Sequence, residues 1–360
     1  MISIVGAGPI GCYAAYLFAK ANYDVALFEE HAEVGKPVQC TGLVTSEIKN
    51  CLKLKENIIV NKLKRVVIVS PSGKKLTIKF KNPNYLLNRE KFDKYLCSLA
   101  QDNGVRLYLK HKFLDFKNPY LIFNNKKHFK TDILIGADGP LSRVAKACNL
   151  FGKRKFVIGF QARAKLEDLE KETIEFYLHG GYFAWVVPEN ESLARVGIVS
   201  ANDVKKRFEI FLKNLNRKYR IKNFQTGLIP IYNPKLKLQA FNVYIVGDAA
   251  TLVKPTTYGG IIPGLKAASL LVKAIKENLN YEKLVKKEIG KELFYGLLIR
   301  KMLNKLSASD LDSLVEICNE KQIKKVLAET DREFPSKILM QLLKKPAFLK
   351  FAKVIVKPGS

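Results

Sequence analysis

The sequence predicts an α/β fold in which an antiparallel-sheet domain is inserted into a parallel, doubly wound one, with a helical region at the C-terminal end. Three observations predict it. The chain opens on an apolar strand, a glycine-rich turn and a helix; two later apolar strands also end in glycine and aspartate with a helix after them; and between residues 156 and 200 strand follows strand with no helix between. Strands that alternate with helices build a parallel sheet, whereas consecutive strands pair antiparallel.

Ile2 to Val5 form a continuous apolar run, the pattern of a strand buried on both faces. Gly6, Gly8 and Gly11 follow as G-x-G-x-x-G. The first glycine permits the tight turn, the second lets the backbone approach a pyrophosphate, and the third lets helix and strand pack closely. A helix to about Lys20 points its N-terminal amides at the same place. Val25 to Phe28 form a second strand that ends at Glu29, eighteen residues beyond Gly11, where a carboxylate accepts hydrogen bonds from an adenosine ribose. An acid there repels a ribose 2′-phosphate, which argues against NADP. Strand, turn, helix, strand and acid in this order predict a Rossmann-like dinucleotide-binding domain, and the adjoining Pro9, Ile10 and Glu30 are counted with its binding residues.

Residues 31 to 45 read as a glycine-broken loop in which Cys40, Thr41 and Gly42 form a small polar group. Cys40 is there either a proton donor or the filling of a gap. Residues 64 to 80 read as two strands joined by Pro71, Ser72 and Gly73. Asn88 caps a helix that Gly104 ends. Arg89 in its first turn runs against the helix dipole, so it either meets an anion such as a bound dinucleotide or stands exposed. Strands near 105 to 109 and a hairpin around Asn124 and Asn125 lead to Ile133–Ile135, a buried strand ending in Gly136, Ala137, Asp138 and Gly139, with a helix from near Leu141.

In the run of strands from 156 to 200, Tyr182, Phe183 and Trp185, the sole tryptophan, put aromatic side chains on both faces of one strand. A helix from about 202 to 220 and a strand through Ile229 and Pro230 come next. Val243 to Val246 form a third buried strand, ended by Gly247 and Asp248, and the helix after it opens near Gly259, Gly260 and Ile261. Three strands that end in glycine turns can meet one ligand at one sheet edge. The expected division is residues 1–55, 87–155 and 238–280 for the dinucleotide domain, 56–86 and 156–237 for the sheet domain, and 281–360 for the helical region. Within the last, the segment 338–356 is basic and amphipathic, lying either on an anionic membrane surface or against the body of the protein.

Composition narrows the function classes. A 360-residue chain that is 48 % apolar buries a sizeable core, and it holds no run of eighteen apolar residues. With a strand from the second residue, no signal peptide is expected and the protein is placed in the cytoplasm, peripheral at the inner membrane surface if it meets a membrane at all. Six cysteines without C-x-x-C pairing and four scattered histidines predict reduced thiols and no metal site. A formal charge of +29 favours anionic partners, or else reflects lysine-rich composition; no basic stretch interleaved with aromatics points to nucleic acid.

The motifs GAGPIG, GADG and IVGDAA together resemble the flavoprotein superfamily that includes p-hydroxybenzoate hydroxylase, over residues 1 to about 280. Within it, PVQCTGLV at 37–44 and YFAWVVPENESLARVG at 182–197 are similar to the cysteine-glycine loop and the Y-x-W-x-F-P motif followed by V-G of the geranylgeranyl reductase family. Tyr182, Trp185, Pro188, Val196 and Gly197 carry the likeness, with Ala184 at the first aromatic spacing and Val187 where phenylalanine is usual. Ala267 and Ala268 stand where the family has serine-glycine.

The resemblance implies FAD as cofactor. Gly6, Gly8 and Gly11 would hold its pyrophosphate, Glu29 its adenosine ribose, Arg89 its phosphates, and Asp248 with Gly247 its ribityl region. Asp138 and Gly139 would support that turn, Cys40 and Gly42 would adjoin the cofactor, and the helix opening at Gly259, Gly260 and Ile261 would direct its positive end at the flavin ring. The implied activity is saturation of isolated carbon–carbon double bonds in geranylgeranyl chains of archaeal-type ether lipids or their precursors. The alternatives are a flavin monooxygenase acting on an aromatic or lipid substrate, and a non-catalytic basic binding protein. An isolated alkene has no carbonyl to polarise, so one carbon takes a hydride and the other a proton inside an apolar site; Cys40 is the candidate for the donor's region, and Tyr182 with Trp185 for the wall. The electron donor stays open among reduced ferredoxin, a deazaflavin and a nicotinamide.

Overall fold

The structure, a computed structural model, describes residues 1–125, 127–346, 348 and 351. The chain divides into two compact units, one of Met1–Val38, Asn88–Lys155 and Ile229–Leu293, the other of Gln39–Leu87, Phe156–Leu228 and the residues from Phe294 onward. The helices beyond Phe294 therefore join the second unit instead of forming a region of their own.

The first unit is built on a six-stranded sheet in the order Gln239–Ala240, Val243–Ile245, Ile133–Gly136, Ile2–Val5, Val25–Phe28, Arg106–Tyr108. Every pair is parallel except the first. Ile2–Val5 and Val25–Phe28 are buried at every position, as strands covered on both faces must be. Val5 lies beside both Gly136 and Phe28, and Gly136 beside Ile245, so the carboxyl ends of four strands share one edge. The helix Pro9–Lys20, with proline in its first turn, packs on the helices Arg89–Asp102 and Ile261–Lys276. Asn88 caps Arg89–Asp102 by accepting from Lys91 N at 3.0 Å. The helix expected from Leu141 is a short one, Arg143–Ala147, capped by Ser142.

The second unit carries an eight-stranded sheet in the order Tyr219–Pro230, Phe156–Leu166, Leu193–Ser200, Tyr182–Pro188, Thr173–His179, Ile59–Val69, Lys75–Leu87, Leu43–Val44. It is antiparallel across its middle, with one parallel pair where Thr173–His179 meets Ile59–Val69, two strands that no hairpin joins. The helix Val204–Asn214 lays Phe208, Phe211 and Leu212 on one face, over the small side chains Ala162, Ala164, Ala184 and Ala194. The opposite face, with Leu63, Ile78, Ile174 and Val187, is covered by the helices Lys291–Lys305, Ala308–Asn319, Lys321–Glu329 and Pro335–Leu343.

Two expectations are corrected here, and one that stood between two alternatives is decided. The helix expected to about 220 ends at Asn214, because Asn216 takes a left-handed conformation at φ 50° and Tyr219 already starts the edge strand. Tyr182 and Trp185 do not form one wall: an odd spacing along a strand sends side chains to opposite faces, and Tyr182 packs with Tyr177 on the side of Val204–Asn214 while Trp185 packs with Leu178 and Phe176 on the other. The segment 338–356, expected either on a membrane surface or against the protein, turns Leu339, Leu342, Phe348 and Phe351 into the core, so the described part packs on the protein, while Met340 and Leu343 stay exposed. Residues 347, 349, 350 and 352–356 of that segment lie outside the described residues. Among the described residues no helix is long and apolar enough to cross a membrane.

Candidate functional site

In the first unit the glycine turn is held together by backbone crowding. Gly6 has φ +100°, and a Cβ on it would stand 2.5 Å from Ala137 O; a Cβ on Gly11 would stand 1.8 Å from Gly6 O. Gly8 is different, with no protein atom within 4 Å of where its Cβ would be. The turn is thus packed tight at its first and third glycines and open at the second, the cradle a pyrophosphate needs. Pro9 opens the helix, and Ile10 fills a notch formed by Gly247 and Gly264, where an added Cβ would meet it at 3.1 and 2.6 Å. Ile10 therefore locks the first turn to the third.

Glu29 ties the acid position to that turn. One carboxylate oxygen accepts from Ala7 N at 2.8 Å, and the other lies 3.0 Å from His31 N and 2.6 Å from His31 Nδ1. A carboxylate offers about four lone-pair sites, so acceptor capacity is left for a ribose hydroxyl. Glu30 stands apart, exposed and 3.4 Å from Lys112. Asp138 spends both oxygens inside the chain, accepting from Ser142 Oγ at 2.5 Å and Val144 N at 3.0 Å. Burial raises its pKa, and those hydrogen bonds offset only part. It holds the turn at Gly139, where φ is +79°.

Asp248, at the third turn, is a carboxylate whose chemistry burial alters strongly. It is half-buried, and burial pushes its pKa up to about 6, against a weaker pull from the Arg89 charge. A Cβ on Gly260 would stand 2.7 Å from its Oδ1, so only glycine lets the helix Ile261–Lys276 begin this close to the carboxylate; Gly259 makes similar room for Lys254, and Ile261 is buried in the first turn. Arg89 makes a bidentate pair with Asp93 at 3.1 and 2.9 Å. Asp93, one turn along the same helix, was not singled out in the sequence, although an i, i+4 acid-arginine pair is readable there.

In the second unit the polar residues converge on the loop Cys40–Gly42. Gly42, at φ +74°, donates its N–H to Cys40 Sγ at 3.3 Å. Thr41 donates through Oγ1 to Gln161 Oε1 at 2.7 Å, and its carbonyl accepts from Arg195 Nη1, which also donates to Leu87 O at 3.1 Å. Arg195 is in turn held by Glu189 at 2.8 Å, and Arg163 holds the other oxygen of the same carboxylate at 2.6 Å. Burial pushes Glu189 up, but the two arginines more than offset it and hold it below the usual range.

Phe176, Trp185, Gly197 and Gln161 lie in one row across four strands. A Cβ on Gly197 would stand 2.4 Å from the Trp185 ring and 2.7 Å from Gln161 Cβ. The glycine of the V-G pair is thus the floor on which the tryptophan lies, and Trp185 Nε1 is buried there with no hydrogen-bond partner. Phe183, not Tyr182, shares the face of Trp185, their ring centroids 6.0 Å apart. By the Y-x-W spacing, Phe183 stands in the tyrosine's place.

Comparison with known proteins follows the same lines. Residues 4–41 match the model of the NAD(P)-binding Rossmann-like domain. The chain is 32 % identical to the digeranylgeranylglycerophospholipid reductase of Methanocaldococcus jannaschii, over 98 % of this chain and 97 % of that one. The chain belongs to the digeranylgeranylglycerophospholipid reductase family. Another member, from Thermoplasma acidophilum, is 29 % identical over 91 % of this chain and 93 % of its own. Among solved structures, a geranylgeranyl bacteriochlorophyll reductase-like protein of the same organism superposes with a TM-score of 0.85 at 26 % identity, covering 98 % of both chains. A probable FAD-dependent monooxygenase from Pseudomonas aeruginosa shares the fold at a TM-score of 0.64 and 14 % identity, covering 88 % of this chain and 99 % of its own. The reductase family and the monooxygenase thus share one architecture, which by itself does not choose between their reactions.

Proposed function

We propose that this chain is an FAD-dependent reductase that saturates the isolated double bonds of geranylgeranyl chains on a glycerophospholipid. The observation that carries the reading is the full-length relation to digeranylgeranylglycerophospholipid reductases, at 32 % identity for one of them. The turn supports the cofactor: its second glycine is open where its first and third are closed, Glu29 keeps lone pairs for a ribose, and Asp248 offers a half-buried acceptor beside a helix N-terminus. When bound and reduced, FAD supplies the hydride.

The chain's own residues do the rest. Gly6, Gly8 and Gly11 hold the pyrophosphate, and Arg89, oriented by Asp93, places a positive charge near it. Asp248 accepts from a polyol hydroxyl, which a raised pKa makes favourable because each donor received stabilises the charged form. Trp185 on its Gly197 floor, with Phe183, offers the apolar surface for the isoprenoid chain. Cys40, in a loop held by Gln161 and Arg195, is the thiol that gives the alkene its proton.

An anaerobic experiment tests this. The flavin-loaded protein is reduced with dithionite, a geranylgeranyl ether phospholipid is added, and flavin absorbance is followed with the lipid mass. Reoxidation of the flavin together with gain of hydrogen pairs by the lipid supports the reading. A flavin that stays reduced until air is admitted overturns it in favour of oxygen chemistry. Cys40→Ala should then slow the reaction at least tenfold while leaving bound flavin unchanged.

A further inference from the structure

We propose that the helix Val204–Asn214 and the edge strand Tyr219–Pro230 form the face on which this protein docks to a bilayer containing anionic phospholipids. The inference rests on the reading above, that the substrate is a lipid of such a bilayer, but it is carried by a different part of the molecule. Between Val204 and Phe224 the chain holds eight lysines and arginines against a single carboxylate, Glu209. Two of the eight are engaged: Arg217 pairs with Glu175 at 2.9 Å, and Arg207 lies 4.6 Å over the Tyr182 ring. The remaining six are all exposed.

Large apolar side chains stand among these cations. Ile210, Tyr219 and Phe224 are 46 %, 43 % and 56 % exposed. Phe208, Phe211, Leu212 and Leu215 turn toward the sheet, so the helical period sends Ile210 outward with Lys206 and Lys213, four residues before it and three after. Phe224 is planted at its base, with ring centroids 5.4 Å from Phe160 and 6.4 Å from Phe208, while more than half of it faces outward. Helix and strand are thus in contact, and their apolar tips rise from a cationic surround.

That combination selects the occupant. Apolar tips rooted in a basic surface suit the boundary between headgroups and acyl chains, and each cation near an anionic surface is worth roughly fivefold in partitioning. A second copy would be drawn by the open edge of Tyr219–Pro230, but two such faces carry the same charge and repel. A nucleic acid would use the cations and stack on Tyr219 and Phe224, but it would leave the aliphatic Ile210 without a partner.

The test is co-sedimentation of the full chain with phosphatidylcholine vesicles, with and without phosphatidylglycerol. Three variants are compared: the triple Lys206→Glu, Lys213→Glu, Lys222→Glu; the double Ile210→Ser, Phe224→Ser; and a charge control, Lys235→Glu, Lys237→Glu, Lys276→Glu, at exposed positions in the first unit. The expected result is binding to anionic vesicles that falls about tenfold or more in the first two variants and less than threefold in the control. Reduction of detergent-dispersed substrate should be unchanged in all three. Equal losses in the control, unchanged binding in the first two, or equal wild-type binding to neutral vesicles overturns the proposal, as does dimerisation or oligonucleotide binding that the first two variants abolish in place of vesicle binding. Vesicle binding as expected in a protein that reduces no geranylgeranyl lipid in detergent supports the docking face and refutes the functional reading.

Discussion

The ring of Trp185 lies across Gly197 on the neighbouring strand, so closely that a Cβ on Gly197 would stand 2.4 Å from ring atom Cζ2. The two residues are one feature, a large flat side chain and the floor that admits it. Gly197→Ala must push the indole off that floor or shift the strand, at a cost of about 1–3 kcal/mol. Trp185 is the only tryptophan, so its emission reports the displacement directly. The expected result is a shifted emission maximum, a lower denaturation midpoint and a raised KM for the isoprenoid substrate. Unaltered emission would show that the ring does not depend on the glycine.

The glycine turn makes a second, paired prediction. In Gly11→Ala the new methyl meets Gly6 O at 1.8 Å, so the fold itself must yield and both stability and flavin binding fall. In Gly8→Ala the methyl meets no protein atom within 4 Å. The apoprotein should then melt within a few degrees of wild type while flavin binding weakens at least tenfold, because the methyl fills the space the pyrophosphate needs. Thermal melts with and without added FAD separate the two cases.

What the sequence made legible was local. Gly6, Gly8, Gly11 and Glu29 are spaced along one strand-turn-helix-strand unit, and Asn88 sits directly before the helix it caps, so each could be read from its neighbours. Arg195 and Thr41 are separated by 154 positions, and Thr41 and Gln161 by 120; nothing along the chain announces such contacts, and Glu189 and Arg195 went unnoticed although they hold the loop of Cys40. The opposite orientation of Tyr182 and Trp185 was readable from the strand's period of two, and a motif spacing counted from the wrong aromatic hid it. The C-terminal stripe was ambiguous for a physical reason: an amphipathic helix shows the same pattern whether a sheet or a bilayer covers it.

The buried carboxylate of Glu189 gives a pH dependence. Its two arginines hold its pKa below the ordinary 4.5. A carboxylate depressed by folding contributes stability that is complete above its unfolded value and is lost as pH falls through its folded one. Glu189→Gln should therefore melt lower than wild type by a constant amount above about pH 5, with the gap narrowing below pH 4.5. Arg195→Met removes one partner of a mostly buried pair and frees the carbonyls of Thr41 and Leu87. It should cost about 3 kcal/mol, at the low end for a broken buried pair because Arg163 remains, and should speed alkylation of Cys40. Unchanged thiol reactivity would show that the clamp does not hold the loop.

Asp248 carries the opposite sign. Burial raises its pKa to about 6, above the 3.8 of an ordinary aspartate, so folding penalises its charged form. The penalty is fully present above pH 6 and is relieved as pH falls from there toward 3.8. Asp248→Asn should thus raise the melting temperature of the apoprotein at pH 7 to 8 and match wild type near pH 4. Such a penalty is retained where function needs the charge, and a polyol hydroxyl donating to the carboxylate lowers its pKa in the complex. Flavin affinity of the wild type should then weaken as pH drops through 6, while the Asn variant binds at least tenfold more weakly at pH 8 and shows no such dependence. Fluorescence titration with FAD across pH 5 to 8 measures both; equal, pH-independent affinities would place the cofactor away from Asp248 and leave its raised pKa as a cost of the fold alone.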